Sequence, residues 1–209
     1  MLDRADPLNV GLQAWWPLGG NGNETTSRYP AVANGNTTSP SMFGPTYYFD
    51  GSSKYLTVST FPVLSTPLTV SVWVYPTSLS QSSNGGGSGG TILTSNTTGN
   101  TSGWSFGLEY TYKMWFWPAG GADQRSTSLV SLNTWNHVAV TVGSGSVSFY
   151  LNGVFSNTTT MTAPQVPTFL EIGTVSWITG YMEGQMAHLR LHNRALTWAE
   201  IQRLYFLEG

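Results

Sequence analysis

Cysteine is absent from the 209 residues, and charge is scarce, with Asp, Glu, Lys and Arg making up 9% of the chain. Without thiols there is no disulfide scaffold and no thiolate-built zinc or iron–sulfur site, and the redox compartment is left open. A net charge of −2 supplies no basic face, which removes nucleic acid from the expected partners. No apolar run reaches membrane-spanning length, so a membrane is not an expected partner either. Met1-Leu2-Asp3-Arg4-Ala5-Asp6-Pro7 lacks a basic stretch followed by an apolar one, and reads as no signal peptide. The Asn-x-Ser/Thr triplets at Asn23, Asn36, Asn96, Asn100 and Asn157 are accordingly read as turn and strand residues, not glycan acceptors. There is no Gly-x-Ser-x-Gly elbow, phosphate-binding glycine loop or His-Glu-x-x-His.

Aromatics, at 13%, are abundant, and so are Gly, Ser, Thr and Asn. This balance favours strands over helices and a surface solvated by hydroxyls and amides. So neutral a surface resists association poorly, which points to a life packed against copies of itself or a partner. The length suits one large two-sheet domain with a core of its own. Residues 1–10 read as an N-terminal arm, able to extend onto a neighbour, and residues 11–209 as the domain.

Short alternating stretches separated by Gly, Asn, Pro and Ser dominate the chain, the pattern of an all-β sandwich. In Leu68–Tyr75, ended by Pro76, Leu68, Val70, Val72 and Val74 share one face, and Thr69, Ser71, Trp73 and Tyr75 the other. Trp135–Val142 and Ser146–Leu151 flank Gly143-Ser144-Gly145 as a hairpin, and Asn152-Gly153 turns into Val154-Phe155. Further strands are expected at 12–16, 46–49, 55–58, 91–94, 104–110, 114–117, 169–172 and 181–191. Gly19–Pro45 reads as a polar surface excursion and Ser80–Gly90 as a low-complexity loop. One short helix is expected at the end, with Thr197 as N-cap and Glu200 completing a capping box. Trp198, Ile201, Leu204 and Tyr205 would form its docking face.

The order of segments resembles the laminin-G-like family of concanavalin A-like jelly rolls. The resemblance is carried by Gly11–Leu18, Phe49-Asp50-Gly51, Leu68–Pro76, Trp135–Thr141, Phe149–Gly153 and Gly184–Leu196, across nearly the whole chain. It implies a two-sheet antiparallel sandwich with one short C-terminal helix. Many such domains bind carbohydrate or act as adhesive modules, and several hold calcium. Similar members carry an acidic pair after the glycine of the last strand, where this chain has Ala187 and His188. Calcium needs several hard oxygen ligands, usually with carboxylates. Asp50 and Glu24 alone remain nearby in sequence, so no cofactor is expected and calcium is disfavoured.

Some relatives of this fold are glycosidases, whose chemistry requires a carboxyl pair at a defined separation. No two of this chain's acids lie two or four residues apart on an expected strand. A cross-strand pair such as Glu109 with Glu171 stays open, but a non-enzyme is expected. His137, His188 and His192 are read as packed strand residues. The expected ligand or partner surface consists of aromatics on polar faces: Trp73, Tyr75, His137 and Tyr150, with Trp115 and Trp117 as a second concentration. Trp135 shares the side of His137, and Trp15 and Trp16 cannot both face one core.

A jelly roll made without export, yet suited to the outside, fits a virion surface. The leading expectation is a phage capsid decoration or a tail or fibre component with a glycan-adhesive surface. It would be homo-oligomeric, as a trimer in a capsid setting, with capsid or tail proteins and surface glycans as partners. The alternatives are a stand-alone carbohydrate-binding module and, behind it, a glycosidase relative.

Overall fold

The structure is a computed structural model describing residues 6–23, 25, 28–62, 66–79, 88–95, 102–143, 145–162, 169–175 and 180–209. In chain order the strands are β1 (Leu12–Trp16), β2 (Val32–Asn34), β3 (Thr37–Ser41), β4 (Gly44–Asp50) and β5 (Tyr55–Val58). Then come β6 (Leu68–Ser78), β7 (Ser88–Thr94), β8 (Trp104–Glu109), β9 (Lys113–Pro118) and β10 (Gln124–Leu129). The last are β11 (Asn136–Val142), β12 (Ser146–Leu151), β13 (Val154–Thr160), β14 (Leu170–Ile172) and β15 (Glu183–His192), followed by α1 (Trp198–Glu208).

They form two antiparallel sheets, a jelly-roll sandwich as the sequence pattern predicts. The first runs β13-β12-β11-β6-β15-β4-β3, the second β10-β9-β8-β7-β14-β5-β2. The long β15 pairs with β6 along one edge and shares its other edge between two strands: Glu183–Met186 pair with β4, while residues 189–192 pair with β1. The inward faces interlock in one core that includes Trp16, Phe49, Trp104, Phe106, Phe116 and Phe149. Trp104 stacks on Phe116, with centroids 5.8 Å apart. Where β10 and β13 meet, side chains close the gap between the sheets. Asn157 Oδ1 accepts from Thr127 N at 2.8 Å, and its amide donates to Arg125 O at 3.0 Å. Two edges with unpaired backbone groups thereby cover each other.

Several elements differ from expectation. The Gly19–Pro45 stretch contains β2, β3 and the start of β4, short or polar strands that lie at or near the sheet edges and lack an alternating apolar face to announce them. Strand β10 is missed for the same reason. The expected loop at Ser80–Gly90 yields its last three residues to β7. A Cβ at Gly89 would sit 2.8 Å from backbone atoms of both Leu79 and Glu109, so glycine there admits close strand packing. Asp3, Glu24, Asn96, Asn100 and residues 80–87 lie outside the described residues.

The two tryptophans of β1 divide as alternation requires. Trp16 is in the core and donates to Tyr29 O at 2.8 Å, while Trp15 faces out. The arm does not reach away where it is described: Leu8 is buried on the first sheet, and its carbonyl lies 2.9 Å from His192 Nε2. Arg194 fastens the same turn, donating to Pro7 O and Val10 O while pairing with Glu200.

Candidate functional site

Strand β6 is almost wholly buried, on both its faces. Its valine side meets the sandwich core. Its other side, read from the sequence as a free surface, lies beneath α1. The register explains how the helix fits. One cross-strand row carries Tyr150, Ala139, Ser71, Arg190 and Trp15, and the next carries His137, Trp73 and Ala187. The small side chains Ala139, Ser71 and Ala187 leave a trough between large ones. Ile201 and Leu204 of the helix pack with Leu8, Ala139, Tyr150 and Leu196 in a second, smaller core. The capping box at Thr197 and Glu200 starts the helix as predicted, and Arg194 beside Glu200 holds its carboxyl down at about 2. Trp198 departs from expectation: it stays largely exposed and hydrogen-bonds Gly153 O through Nε1 at 2.8 Å.

Aromatic rings continue along this face beyond the helix. Tyr205 stacks on Trp73 with centroids 5.4 Å apart, and Phe43 from the β3–β4 turn meets Trp73, Trp135 and His188 at 5.4, 4.9 and 5.2 Å. Tyr75 lies 5.7 Å from Trp135. The cluster opens to solvent through a pocket of about 440 Å³ lined by Met42, Trp73, Thr134, Trp135, Tyr205, Phe206 and Gly209. None of these lining side chains is charged. Met42 and Phe206 are exposed at its mouth, and Trp135 is half-buried.

Beneath the last helical turn lies a titratable group of residues. Arg190 pairs with Glu208, both nearly enclosed, and its guanidinium lies 3.8 Å from the centre of the Trp15 ring. Burial pushes Glu208 up to about 7 against the pull of Arg190, and lowers Arg190 despite its partner. Burial, with Arg190 adding to it, brings His137 down to about 3 and His188 to about 4. His192, buried under Leu8, is lowered to about 4. His188 occupies a bulge in β15 with φ of 52°, which lets the chain turn Ala187, Arg190 and His192 all toward the helix and arm.

The structure therefore divides the six expected surface residues between opposite sides of the sandwich. Trp73, Tyr75, His137 and Tyr150 share the outer face of the first sheet, but Trp73, His137 and Tyr150 are buried by α1 rather than free. Trp115 and Trp117 stand on the outer face of the second sheet, where Trp115 is buried across Gly107, its Cζ2 3.0 Å from where a Cβ would be. Trp117 is half-buried and donates to Gly121 O at 3.2 Å. Met42, Phe43, Tyr205 and Phe206 were missed, because nothing local in the sequence ties the β3–β4 turn or the helix end to Trp73. The small residues within an otherwise aromatic face were the available signal that something must cover it.

Glu109 and Glu171 do share the outer face of the second sheet, but in different places. Glu171 belongs to a row with Thr94, Ser105 and Trp117. Glu109 lies four residues from Ser105 along β8, roughly 13 Å at the usual rise, too far for a catalytic carboxyl pair. It is buried and engaged by Arg125 at 2.8 Å and by the Thr111 hydroxyl. Asp50 spends one carboxylate oxygen on the backbone N–H groups of Ser52, Ser53 and Lys54. Among the described residues, no three His, Cys, Asp or Glu side chains cluster as metal ligands do.

In sequence the chain matches no curated protein. In structure it is similar to domain 4 of AbnA, a GH43 extracellular arabinanase from Geobacillus stearothermophilus solved with arabinotriose. That likeness has a TM-score of 0.77 at 19% identity, covering 93% of this chain and 98% of that one. The binding domain of Paraclostridial Mosquitocidal Protein 1 is also similar, with a TM-score of 0.73, 13% identity, and 95% and 52% of the two chains covered. So is the binding domain of Botulinum Neurotoxin DC in complex with SialylT, with a TM-score of 0.68, 16% identity, and 97% and 52% covered. The chain thus spans about half the length of those toxin domains. At such identities these likenesses speak for the fold. The sequence model of the concanavalin A-like lectin/glucanases superfamily matches residues 50–202, well over half of the chain, and the protein belongs to that family.

Proposed function

We propose that the protein is a non-catalytic glycan-binding module whose sugar seat is the aromatic pocket beside the end of α1. The observation that carries this reading is the pocket itself: half-buried Trp135 and exposed Phe206 flank a floor made by Trp73. Its volume of about 440 Å³ suits one or two sugar rings. The C–H faces of a sugar stack on aromatic rings, and Thr134 supplies a hydroxyl for hydrogen bonding. With no charged side chain in the lining, the preferred sugars are neutral. The arabinanase domain solved with arabinotriose makes neutral arabino-oligosaccharides the first ligands to try. A binding role without turnover accords with Glu109 being held by Arg125 and set apart from Glu171. No cofactor is invoked, and calcium is left out, because Asp50 is spent on its own loop.

Titration calorimetry tests the seat. Trp135→Ala should weaken binding about tenfold or more, roughly the 1.4 kcal/mol per decade expected on losing one stacking ring, while Trp117→Ala should leave it unchanged. Equal losses in both variants would overturn this placement of the site.

A second reading keeps the protein as a homo-oligomeric virion component on the capsid or tail. The observation favouring it is the exposed apolar surface of α1 and β13, which includes Phe206, Leu207, Val154 and Phe155, on a chain with 9% charge. The two readings compete at Phe206, since a copy seated on the end of α1 would cover the mouth of the pocket.

A further inference from the structure

The chain has no thiol, so its softest nucleophiles are the thioethers of six methionines. A peroxide oxidises a thioether only where the reagent and water can reach the sulfur. Met114, Met182 and Met186 are wholly enclosed in the main core, and Met161 is half-buried against it. Met182 is further pinned, its sulfur 3.2 Å from where a Cβ on Gly90 would stand. Met1 lies outside the described residues. Met42 is 60% exposed, and among the described residues it is the one methionine largely open to solvent.

Its position is fixed by the β3–β4 turn. The Ser41 hydroxyl accepts from Phe43 N at 3.0 Å and donates to Gly44 O at 2.7 Å, while Gly44 takes a φ of 83°, which favours glycine. Phe43 is thereby turned onto Trp73, Trp135 and His188, and Met42 is left at the mouth of the pocket together with Phe206. We propose that Met42 is a hydroperoxide-sensitive modification site whose oxidation to the sulfoxide weakens ligand binding in the pocket. The effect on the ligand rests on the pocket being the binding site; the selectivity of the oxidation does not.

In the reaction a lone pair of the Met42 sulfur attacks one oxygen of the peroxide. An S–O bond forms as the O–O bond breaks, and the proton on the attacked oxygen passes through water to the departing one. With hydrogen peroxide the products are the sulfoxide and one water, sulfur being oxidised by two electrons and the peroxide reduced by two. A flexible apolar group thus becomes a polar one with a strong acceptor oxygen. The pocket lining is mostly aromatic and carries no charge. A polar oxygen pressed there without a partner is costly, so the oxidised side chain turns to water and withdraws from the C–H face of a sugar. Reversal takes an outside thiol reductant, because none of the 209 residues is cysteine.

Mass mapping of peptides after brief treatment with dilute hydrogen peroxide reads the site. Met42 should be converted at least about tenfold faster than Met114, Met182 and Met186, with the tryptophans unaltered. Equal rates at the enclosed methionines would overturn the proposal. Calorimetry with arabinotriose then reads the consequence. In protein oxidised at Met42 the affinity should fall about fivefold, and a methionine sulfoxide reductase supplied with thiol should restore it. Unchanged or tighter binding after full conversion would refute the proposal, as would a loss that reduction of the sulfoxide does not reverse. Met42→Leu keeps the bulk and removes the sulfur. Whatever the starting affinity of this variant, peroxide should not change it, and a fall equal to that of the parent would place the sensitive group elsewhere. Absence of arabinotriose binding in the untreated protein would refute the glycan seat alone, and the peptide map would still decide the modification site.

Discussion

Arg190 is surrounded so that it has two partners and almost no water, with the Trp15 ring on its face and the Glu208 carboxylate at its end. Replacing one member of such a buried pair leaves the other uncompensated, which costs far more than replacing both. Arg190→Met should therefore lower stability by about 3 kcal/mol at pH 8, where Glu208 is ionised. Urea denaturation measures it, and Arg190→Met/Glu208→Leu should recover most of the loss. A single-variant loss smaller than that of the double variant would show that the pair does not hold the helix. His137 belongs to the same scale. Its place opposite the valines of β11 was legible, so a packed strand residue was the natural reading. That its neighbours would leave it neither partner nor water was not legible, because those neighbours come from β6, β15 and α1.

Among the elements, β6 and the β11–β12 hairpin were the easiest to read, since an unbroken row of Val, Leu and Phe on alternate positions admits one orientation. The helix was nearly as clear, because its capping box is a local device. Strands β10 and β13 show the opposite case. Both are polar along most of their length, and β10 owes its place to β9 and to side chains donated from β13. Asn157→Ala removes the acceptor for Thr127 N and the donor to Arg125 O. We expect a loss of about 1–2 kcal/mol and faster amide exchange at Thr127, with β11 amides unaffected. Unchanged exchange at Thr127 would show that the seam is held by Ser156 instead, whose hydroxyl also meets Thr127 and Ser128.

For the molecule as a whole, the two outer faces differ in kind. One carries a helix, a small second core and an aromatic pocket; the other carries Trp115, Trp117 and the Glu109–Arg125 pair. Phe206 is 73% exposed and Leu207 63%, and few charges stand near to discourage association. If the protein assembles with copies of itself through this side, Phe206→Glu/Leu207→Glu should convert the oligomer to monomers in light scattering after size-exclusion chromatography. An oligomer that survives the double substitution would move the interface away from α1, and a monomeric parent would refute self-assembly altogether.

By itself the sequence determined the two-sheet sandwich, its apolar faces, the tight turns and the capped helix, because each rests on periodicity or on contacts a few residues apart. It also set Trp73, Tyr75, His137 and Tyr150 opposite the apolar positions of their own strands, which alternation guarantees, while the pairing of β6, β11 and β12 brought them to one face. Whether that face met water, a ligand or another part of the chain depended on where α1 came to rest. Only the tertiary structure decided this: the helix settles in the trough left by Ala139, Ser71 and Ala187, and long-range pairing of β15 with β1 and β6 brings Arg190 beneath Glu208. The aromatic face expected to be a platform thus became a floor, and the pocket formed at its edge.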